Sequence, residues 1–505
     1  MRSSALSIVI AVAGALTSGA AAAHASLDDV VRDDLAFARQ QLRATAVTVP
    51  ADRYPANTKP NGGWATTGPD AWTSGFFPGS AWRAYEASGN PFWHTQAAER
   101  LAALEPEKRD TSGNDQGFKL LTSFGNAYRL TGNDAYRRVV LRAAESLASR
   151  YGPAVGATRS WGNRRASRFT VIVDNLMNLE LLFWAAKRGG DPAWYGMALS
   201  HALRTLRTHI RPDGSTFHVV DFRRRTGTVR RKRTRQGQAR NSTWSRGQAW
   251  AIHGFTMAYR ETGDGRLLDA ARRVADWFIA HLPPDQVPYW DFDAPGIPRA
   301  PRDSSAAAIA ASGLLELAEL DPDPARAGGY RDSAESIIAA LSSEPYIARG
   351  VPTQAILLHG TQDRPKRNFD TGLSFGDYYF LEALLRYRTP PAPDPAPELD
   401  VELAEGRRLP ATVSSDQAGI VRAALLARRP LARRLGLRTA HSAVLDRARA
   451  QLDGSAEAPM RLRLSARVQR TSRARHRAPA LLSLVMNTAD GRSAAKTLPL
   501  RLPDD

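Results

Sequence analysis

Between residues 27 and 388 one short pattern keeps returning. An apolar stretch with helical periodicity closes on an aromatic with a charged neighbour, a Gly-containing turn follows, and another helical stretch opens. Tyr85-Glu-Ala-Ser-Gly-Asn90, Tyr128-Arg-Leu-Thr-Gly-Asn-Asp134 and Tyr259-Arg-Glu-Thr-Gly-Asp264 carry it clearly; Phe183 to Asp191 and Leu315 to Asp323 are looser copies. The glycine suits the left-handed position that closes a helix, and the Asn or Asp behind it suits the next N-cap. Spacing between copies varies, which excludes a strict solenoid. Strand-like alternation is scarce, so the pattern predicts helical hairpins packed as a toroid, with loops gathered at one mouth. The exception is His218-Val-Val-Asp-Phe222, which reads as a short hairpin strand with Arg223 to Arg233 as its turn.

After this region the pattern changes. Residues 389–399 form a proline-rich linker. Beyond it, Met460 to Val468 and Thr497 to Leu502 alternate with period two, Ala480 to Met486 reads as a strand, and Asn487 to Gly491 reads as a turn. Residues 400–505 are therefore expected to be a small, basic, all-β, sandwich-like accessory domain. It has no Trp or Tyr, which argues against a sugar-binding module built on aromatic platforms.

At the other end, Arg2, the apolar run Ala5 to Leu16 and Ala23-His24-Ala25 compose a secretory signal over residues 1–25. The run is too short to span a bilayer, and no other segment suits a membrane span. The expected location is secreted, cell-surface or periplasmic, with the catalytic region at 26–388. The absence of cysteine excludes disulfides, cysteine-ligated metal and a thiol nucleophile. No His-Glu-x-x-His pattern or phosphate-binding glycine loop occurs, so neither metal nor organic cofactor is expected. The net charge of +19 is concentrated in Arg223 to Arg240 and the C-terminal hundred or so residues. No nucleic-acid-binding signature accompanies it, which leaves anionic polysaccharide or another anionic cell-surface polymer as the partner class.

Asn241-Ser-Thr-Trp244-Ser-Arg246-Gly-Gln248-Ala-Trp250 gathers two indoles, a guanidinium and an amide within about three helical turns. Trp covers the apolar face of a pyranose and Arg forks onto a carboxylate, so the segment suits an acidic sugar. The competing reading is a helix start with Trp250 in the core. Two aspartates fit the same chemistry. Asp115 lies in Asn114-Asp-Gln-Gly-Phe118, and Asp174 follows Val171-Ile-Val173 and precedes Leu176 and Met177. An Asp that opens a helix is commonly just a cap. Apolar neighbours, however, desolvate a carboxylate and raise its pKa, as a general acid requires.

Taken together, Trp72-Thr-Ser-Gly-Phe-Phe-Pro-Gly79, the Asp115-x-Gly-Phe118 loop, Ile172-Val-Asp-Asn-Leu-Met-Asn178, Ser242 to Trp250, Asp303 to Gly313 and Gly376 to Leu384 closely resemble glycoside hydrolase family 88. That family contains the unsaturated glucuronyl hydrolases. The resemblance spans about residues 30–388 in unchanged order and leaves out the β region. It implies an (α/α)6 barrel and an unusual reaction on the C4=C5 double bond that polysaccharide lyases leave on a non-reducing uronic acid. An Asp protonates C4, water adds at C5, and the resulting hemiketal opens and releases the rest of the sugar. By motif position Asp174 is that acid and base. By the same resemblance Asp115 would hold ring hydroxyls and couple to Asp174. His218, Gln236, Trp244, Arg246 and Trp250 line the sugar, and Trp72 lies at its rim. Asn114 is also placed at the sugar, where the family usually has His, and Arg235 and Gln238 depart from the pattern too. Asp303 reads as a cap or mouth support, and Arg364-Pro-Lys366-Arg367 as a solvated loop near the next sugar. Three other readings stand beside this one: a hydrolase of unsaturated rhamnogalacturonyl units from pectin, a two-carboxylate glycosidase for saturated sugars, and a non-enzymatic polysaccharide-binding protein.

Overall fold

The computed structural model describes residues 26–162, 166–388, and, beyond them, strands at 400–403, 410–414, 418–427, 444–453, 458–461, 479–488 and 493–501. The expected leader at 1–25, the linker at 389–399, the alternation over 462–468 and the turn at 489–491 lie outside the described residues.

Helices dominate up to residue 388: α1 (Leu27–Thr48), α2 (Phe76–Ser88), α3 (Pro91–Glu99), the single turn α4 (Leu101–Leu104), α5 (Asn126–Thr131), α6 (Asp134–Ala148), α7 (Asn175–Lys187), α8 (Ala193–His209), α9 (Ser245–Thr262), α10 (Gly265–Ala280), α11 (Ser304–Leu320), α12 (Pro324–Leu341) and α13 (Ser374–Arg388). A π-helical segment, Gly117–Gly125, runs directly into α5. The recurring turn has the expected chemistry. Gly89, Gly132 and Gly263 adopt left-handed φ of 64°, 68° and 63°. Asn90, Asn133 and Asp264 then accept from the N–H groups of Phe92, Ala135 and Arg266. In the looser copies Asp191 and Asp323 do the same for Ala193 and Ala325.

Burial sorts the helices into two sets. α9, α11 and α13 bury nearly every position along most of their length, whereas α6 and α10 bury one stripe. α2 packs on the π-helical segment, that segment on α7, α7 on α9, α9 on α11, α11 on α13, and α13 back on α2. α3, α6, α8, α10 and α12 back successive members of this ring. The arrangement fits an α/α barrel. Connections from inner to outer helices are the short turns above. Connections in the other direction are long and carry small antiparallel sheets: β1 (Tyr54–Thr58) with β2 (Trp64–Thr67), β3 (Tyr151–Gly152) with β4 (Ala157–Thr158), and β5 (Arg168–Ile172) with β6 (Val219–Arg223) and β7 (Val229–Arg233). The basic run expected to be only a turn is thus half strand. The reversal is confined to Arg224–Thr228, where Gly227 takes a φ of 62°.

The C-terminal strands are β8 (Asp400–Leu403), β9 (Pro410–Ser414), β10 (Ala418–Ala427), β11 (Val444–Asp453), β12 (Ala458–Arg461), β13 (Pro479–Thr488) and β14 (Ser493–Arg501). They form antiparallel sheets ordered β11-β10-β13-β14 and β12-β9-β8. The four-stranded sheet docks on the α7–α8 turn. Ala424 and Val485 join the main hydrophobic core, and Ser483 donates to the Pro192 carbonyl at 3.0 Å. Arg422 donates to the carbonyls of Ala186, at 2.7 Å, and Gly190, while Arg447 pairs with Asp191. Arg422 is half-buried against the helices, whereas Arg447 keeps 54% of its side chain exposed.

Candidate active site

The long connections end where the inner helices begin, and the chemistry-bearing residues lie there. β5 leads into Asp174. Val171, Ile172 and Val173 are buried, and the Val173 N–H bonds the His218 carbonyl at 3.0 Å. Asp174 occupies the N-cap position of α7, yet its side chain makes no capping hydrogen bond. Its Oδ2 is buried without a hydrogen-bond partner among the described residues and lies 3.7 Å from His218 Nε2, which is equally unpartnered. Burial raises the Asp174 carboxyl to about 7. The Asp115 charge pushes the same way, while Arg246 and Arg235 oppose it.

Asp115 is reached through a braced loop. The buried Lys119 Nζ pairs with Glu107 at 2.6 Å and Asp110 at 3.1 Å, and Arg150 donates to the Thr111, Arg159 and Ser160 carbonyls. Asn114 Nδ2 donates to Asp115 Oδ1 at 3.1 Å. Burial raises Asp115 to about 6, against the pull of Lys119 and Arg150. A Cβ on Gly117 would lie 2.8 Å from Asn178 Oδ1 and 2.9 Å from Asn178 Cα. The same Oδ1 accepts the Phe118 N–H at 3.1 Å. The Asp115-x-Gly-Phe and Asp174-Asn-x-x-Asn motifs are therefore two halves of one backbone contact, and that contact brings the two carboxylates within electrostatic reach.

His218 has a defined tautomer. Its Nδ1 accepts from the Arg235 and Gln236 N–H groups, each at 3.4 Å, so the ring proton sits on Nε2 and faces Asp174. The Thr234 hydroxyl, 3.3 Å away, faces the same Nδ1. Burial keeps the ring neutral, well below the usual histidine range, and Trp244 stacks on it with centroids 4.3 Å apart.

The remaining expected residues divide. Trp72 is half-buried, its ring 4.9 Å from Phe375 and 5.6 Å from Phe118. Gln236 is anchored through Nε2 to the Gln362 carbonyl at 2.6 Å. Two expectations need correction. Arg246 is not open to fork a sugar carboxylate. It is 1% exposed, and it donates to Asp303 Oδ2 at 2.7 Å, to the Thr361 carbonyl and to the Gln362 carbonyl at 2.7 Å. Its charge, not its hydrogen bonds, reaches Asp174. Trp250 is core, 1% exposed and packed against Phe118 and Tyr379. It lies far enough into α9 to fall below the mouth. Gln248, beside it, bonds the Gly214 and Val274 carbonyls and is likewise structural. Asp303 supports the mouth, taking Arg246 on one oxygen and the Ser305 hydroxyl and Thr361 N–H on the other.

Sequence reasoning passed over Thr234, Lys119 and Asp291. Asp291 Oδ2 accepts the Gln238 N–H and the Ser242 hydroxyl, each at 2.8 Å, and so ties together both ends of the 236–244 loop. Its acidic setting, Trp290-Asp-Phe-Asp293, was a visible signal. Among the described residues no cluster of His, Asp and Glu could hold a metal ion.

A mostly helical fold with buried Asp174 coupled to half-buried Asp115 at the mouth fits a carbohydrate-active class, and comparison with known proteins narrows it. No family model matches the chain. The chain is 43% identical over 321 residues to the unsaturated glucuronyl hydrolase of Formosa agariphila, covering 62% of this chain and 79% of that protein. It is 35% identical over 346 residues to the unsaturated glucuronyl hydrolase of Bacillus sp. strain GL1, covering 66% and 91%. The crystal structure of an unsaturated glucuronyl hydrolase specific for heparin superposes with a TM-score of 0.69 at 39% identity, over 71% of this chain and 97% of that one. The chain belongs to the unsaturated glucuronyl hydrolases, which are glycoside hydrolases.

Proposed function

We propose that this chain releases the 4,5-unsaturated uronic acid from the non-reducing end of lyase-generated oligosaccharides by hydrating its vinyl ether, inside an (α/α)6 barrel. The observation that carries the reading is Asp174: buried, not used as a cap, raised to about 7, with an unpartnered oxygen facing His218. Near neutral pH such a group is present as both acid and base. The protonated form delivers its proton to C4, and positive charge develops at C5. The resulting carboxylate accepts a proton from the water that adds at C5, and the hemiketal then opens and expels the aglycone. Asp115, held by Asn114 and closer to full ionisation, holds ring hydroxyls and adds like-charge repulsion to the burial that keeps the Asp174 pKa high. Neutral His218 turns its Nε2–H toward Asp174 from 3.7 Å, which favours the carboxylate form electrostatically. Trp72 provides an apolar face for the ring, buried Trp244 holds the His218 ring by stacking on it, and Arg246 supplies fixed positive charge from behind.

Residues 1–25 direct export, and the basic C-terminal region contributes affinity for anionic cell-surface polymer. The decisive experiment compares unsaturated disaccharides from chondroitin, hyaluronan, heparin, pectin and gellan with saturated aryl glycosides, following loss of ultraviolet alkene absorbance or aglycone release. Turnover of saturated glycosides at comparable rates would replace hydration by ordinary glycoside hydrolysis.

A further inference from the structure

The run Arg223 to Arg240 contains no acidic residue, and the proposed chemistry uses only its Thr234 to Gln236 stretch. In the fold, part of it is one face of the β5–β6–β7 sheet. There three guanidinium groups converge on a single buried carboxylate. Asp221 lies 2.9 Å from Arg231 Nε, 3.0 Å from Arg233 Nε and 3.9 Å from Arg168 Nε, and it also accepts the Thr170 hydroxyl at 2.7 Å. One negative charge thus organises three positive ones. The side chains of Arg168 and Arg231 are 50% and 52% exposed, so both present charge to solvent from a braced position. The strand register sets this face in line with the mouth. Arg233 pairs with Val219, the residue after His218, and two residues on, Arg235 lies over the Trp161 ring at 5.0 Å.

We propose that this face is an aglycone track, holding the anionic sugars that follow the unsaturated residue and giving acidic oligosaccharides longer than a disaccharide higher affinity. The inference rests on the proposed reading of the site. Guanidinium groups suit sulfate and carboxylate through their planar forks. Holding them on a shared carboxylate lowers the entropy lost when a flexible anionic chain settles on them. Arg235 and Trp161 pair a cation with an aromatic face at the step between mouth and track, as an acidic pyranose requires. The sheet leads away from Asp174, which favours the trailing part of the substrate itself over an unrelated polyanion.

The test uses the full chain with Arg168→Ala/Arg231→Ala. Arg233 still covers Asp221 in this variant, so no bare buried carboxylate remains. The control is Arg138→Ala/Arg142→Ala on α6, which removes equal charge elsewhere. KM and kcat are measured at low and high salt for an unsaturated disaccharide and for a sulfated unsaturated hexasaccharide. The track variant should raise the hexasaccharide KM about tenfold at low salt, leave kcat and the disaccharide constants unchanged, and lose its difference from wild type at high salt. The control should match wild type. Equal effects on both substrates, or none on either, overturn the proposal. So does equal inhibition by single-stranded DNA and by a saturated sulfated hexasaccharide of the same charge. If wild type turns over neither substrate, the functional reading fails on its own. Direct titration with the saturated hexasaccharide then decides the track: a loss of affinity confined to the track variant upholds it, and equal affinities overturn it. Melting curves identify any folding defect, in which case Arg231→Gln replaces the double variant.

Discussion

Asp174→Asn separates chemistry from stability at one atom. The amide matches the carboxyl in shape but supplies no proton, so turnover should fall by at least about a hundredfold while substrate still binds. Stability should move the opposite way. The Asp174 carboxyl goes from an ordinary 3.8 to about 7 on folding, so the folded state holds a proton that the unfolded chain gives up. Its contribution to stability is fully present below about pH 4 and is lost progressively as pH rises through about 7. The displacement corresponds to an upper bound on the order of 4 kcal/mol above that pH. The amide never ionises and escapes the loss. The variant should therefore melt higher than wild type at pH 8 and at about the same temperature near pH 4, while being inactive at both. Alkene absorbance reports the first effect and paired thermal or urea melts report the second. Near-normal turnover would refute the acid assignment. Parallel melting curves at pH 4 and pH 8 would refute the desolvation argument beneath it.

Asp115→Asn removes the like charge that helps hold Asp174 up, so the alkaline limb of kcat/KM, near pH 7 in wild type, should move to lower pH in a stopped-flow or steady-state profile. Gly117→Ala forces a Cβ against Asn178 and should cost about 1–3 kcal/mol in urea melts, with activity falling alongside because both carboxylates hang from that contact. Arg246→Met strips the partner from fully buried Asp303 and should destabilise the fold by about 3–5 kcal/mol, with Arg246→Met/Asp303→Asn recovering part of the loss. A chain ending at Arg388 uncovers the α7–α8 face and should melt lower than the full chain, yet keep its disaccharide kcat at low temperature, because the docked sheet meets α7 at the end away from Asp174.

The helical part of the fold was legible because three hairpins write their own turn with an αL glycine, at Gly89, Gly132 and Gly263, and a capping Asn or Asp, local requirements that no distant contact alters. The site was legible as a set of motifs, and Asp174 stood out through its apolar neighbours. What could not be read locally was which polar group each side chain would meet. Arg246 and Trp250 sit in a segment whose composition suits a sugar, but Asp303 and Phe118, far away in sequence, claim them first. Strand β10, Ala-Gly-Ile-Val-Arg-Ala-Ala-Leu-Leu-Ala, has no period-two pattern because its described centre is buried on both faces, so only its partners β11 and β13 define it. The basic ribbon reads as a turn in sequence because consecutive arginines hide the alternation between those that reach Asp221 and those that do not.

The two ends of the helical region are built from unequal material. One carries the long connections with Asp174, His218 and Trp244, and the other, among the described residues, carries short turns and the docked C-terminal sheet. Selection can therefore lengthen, shorten or exchange a mouth loop without repacking a helix, and a new module can be grafted onto the turn end without disturbing a proton transfer. For anyone immobilising or fusing this enzyme, the Gly132 and Gly263 turns are the places to attach.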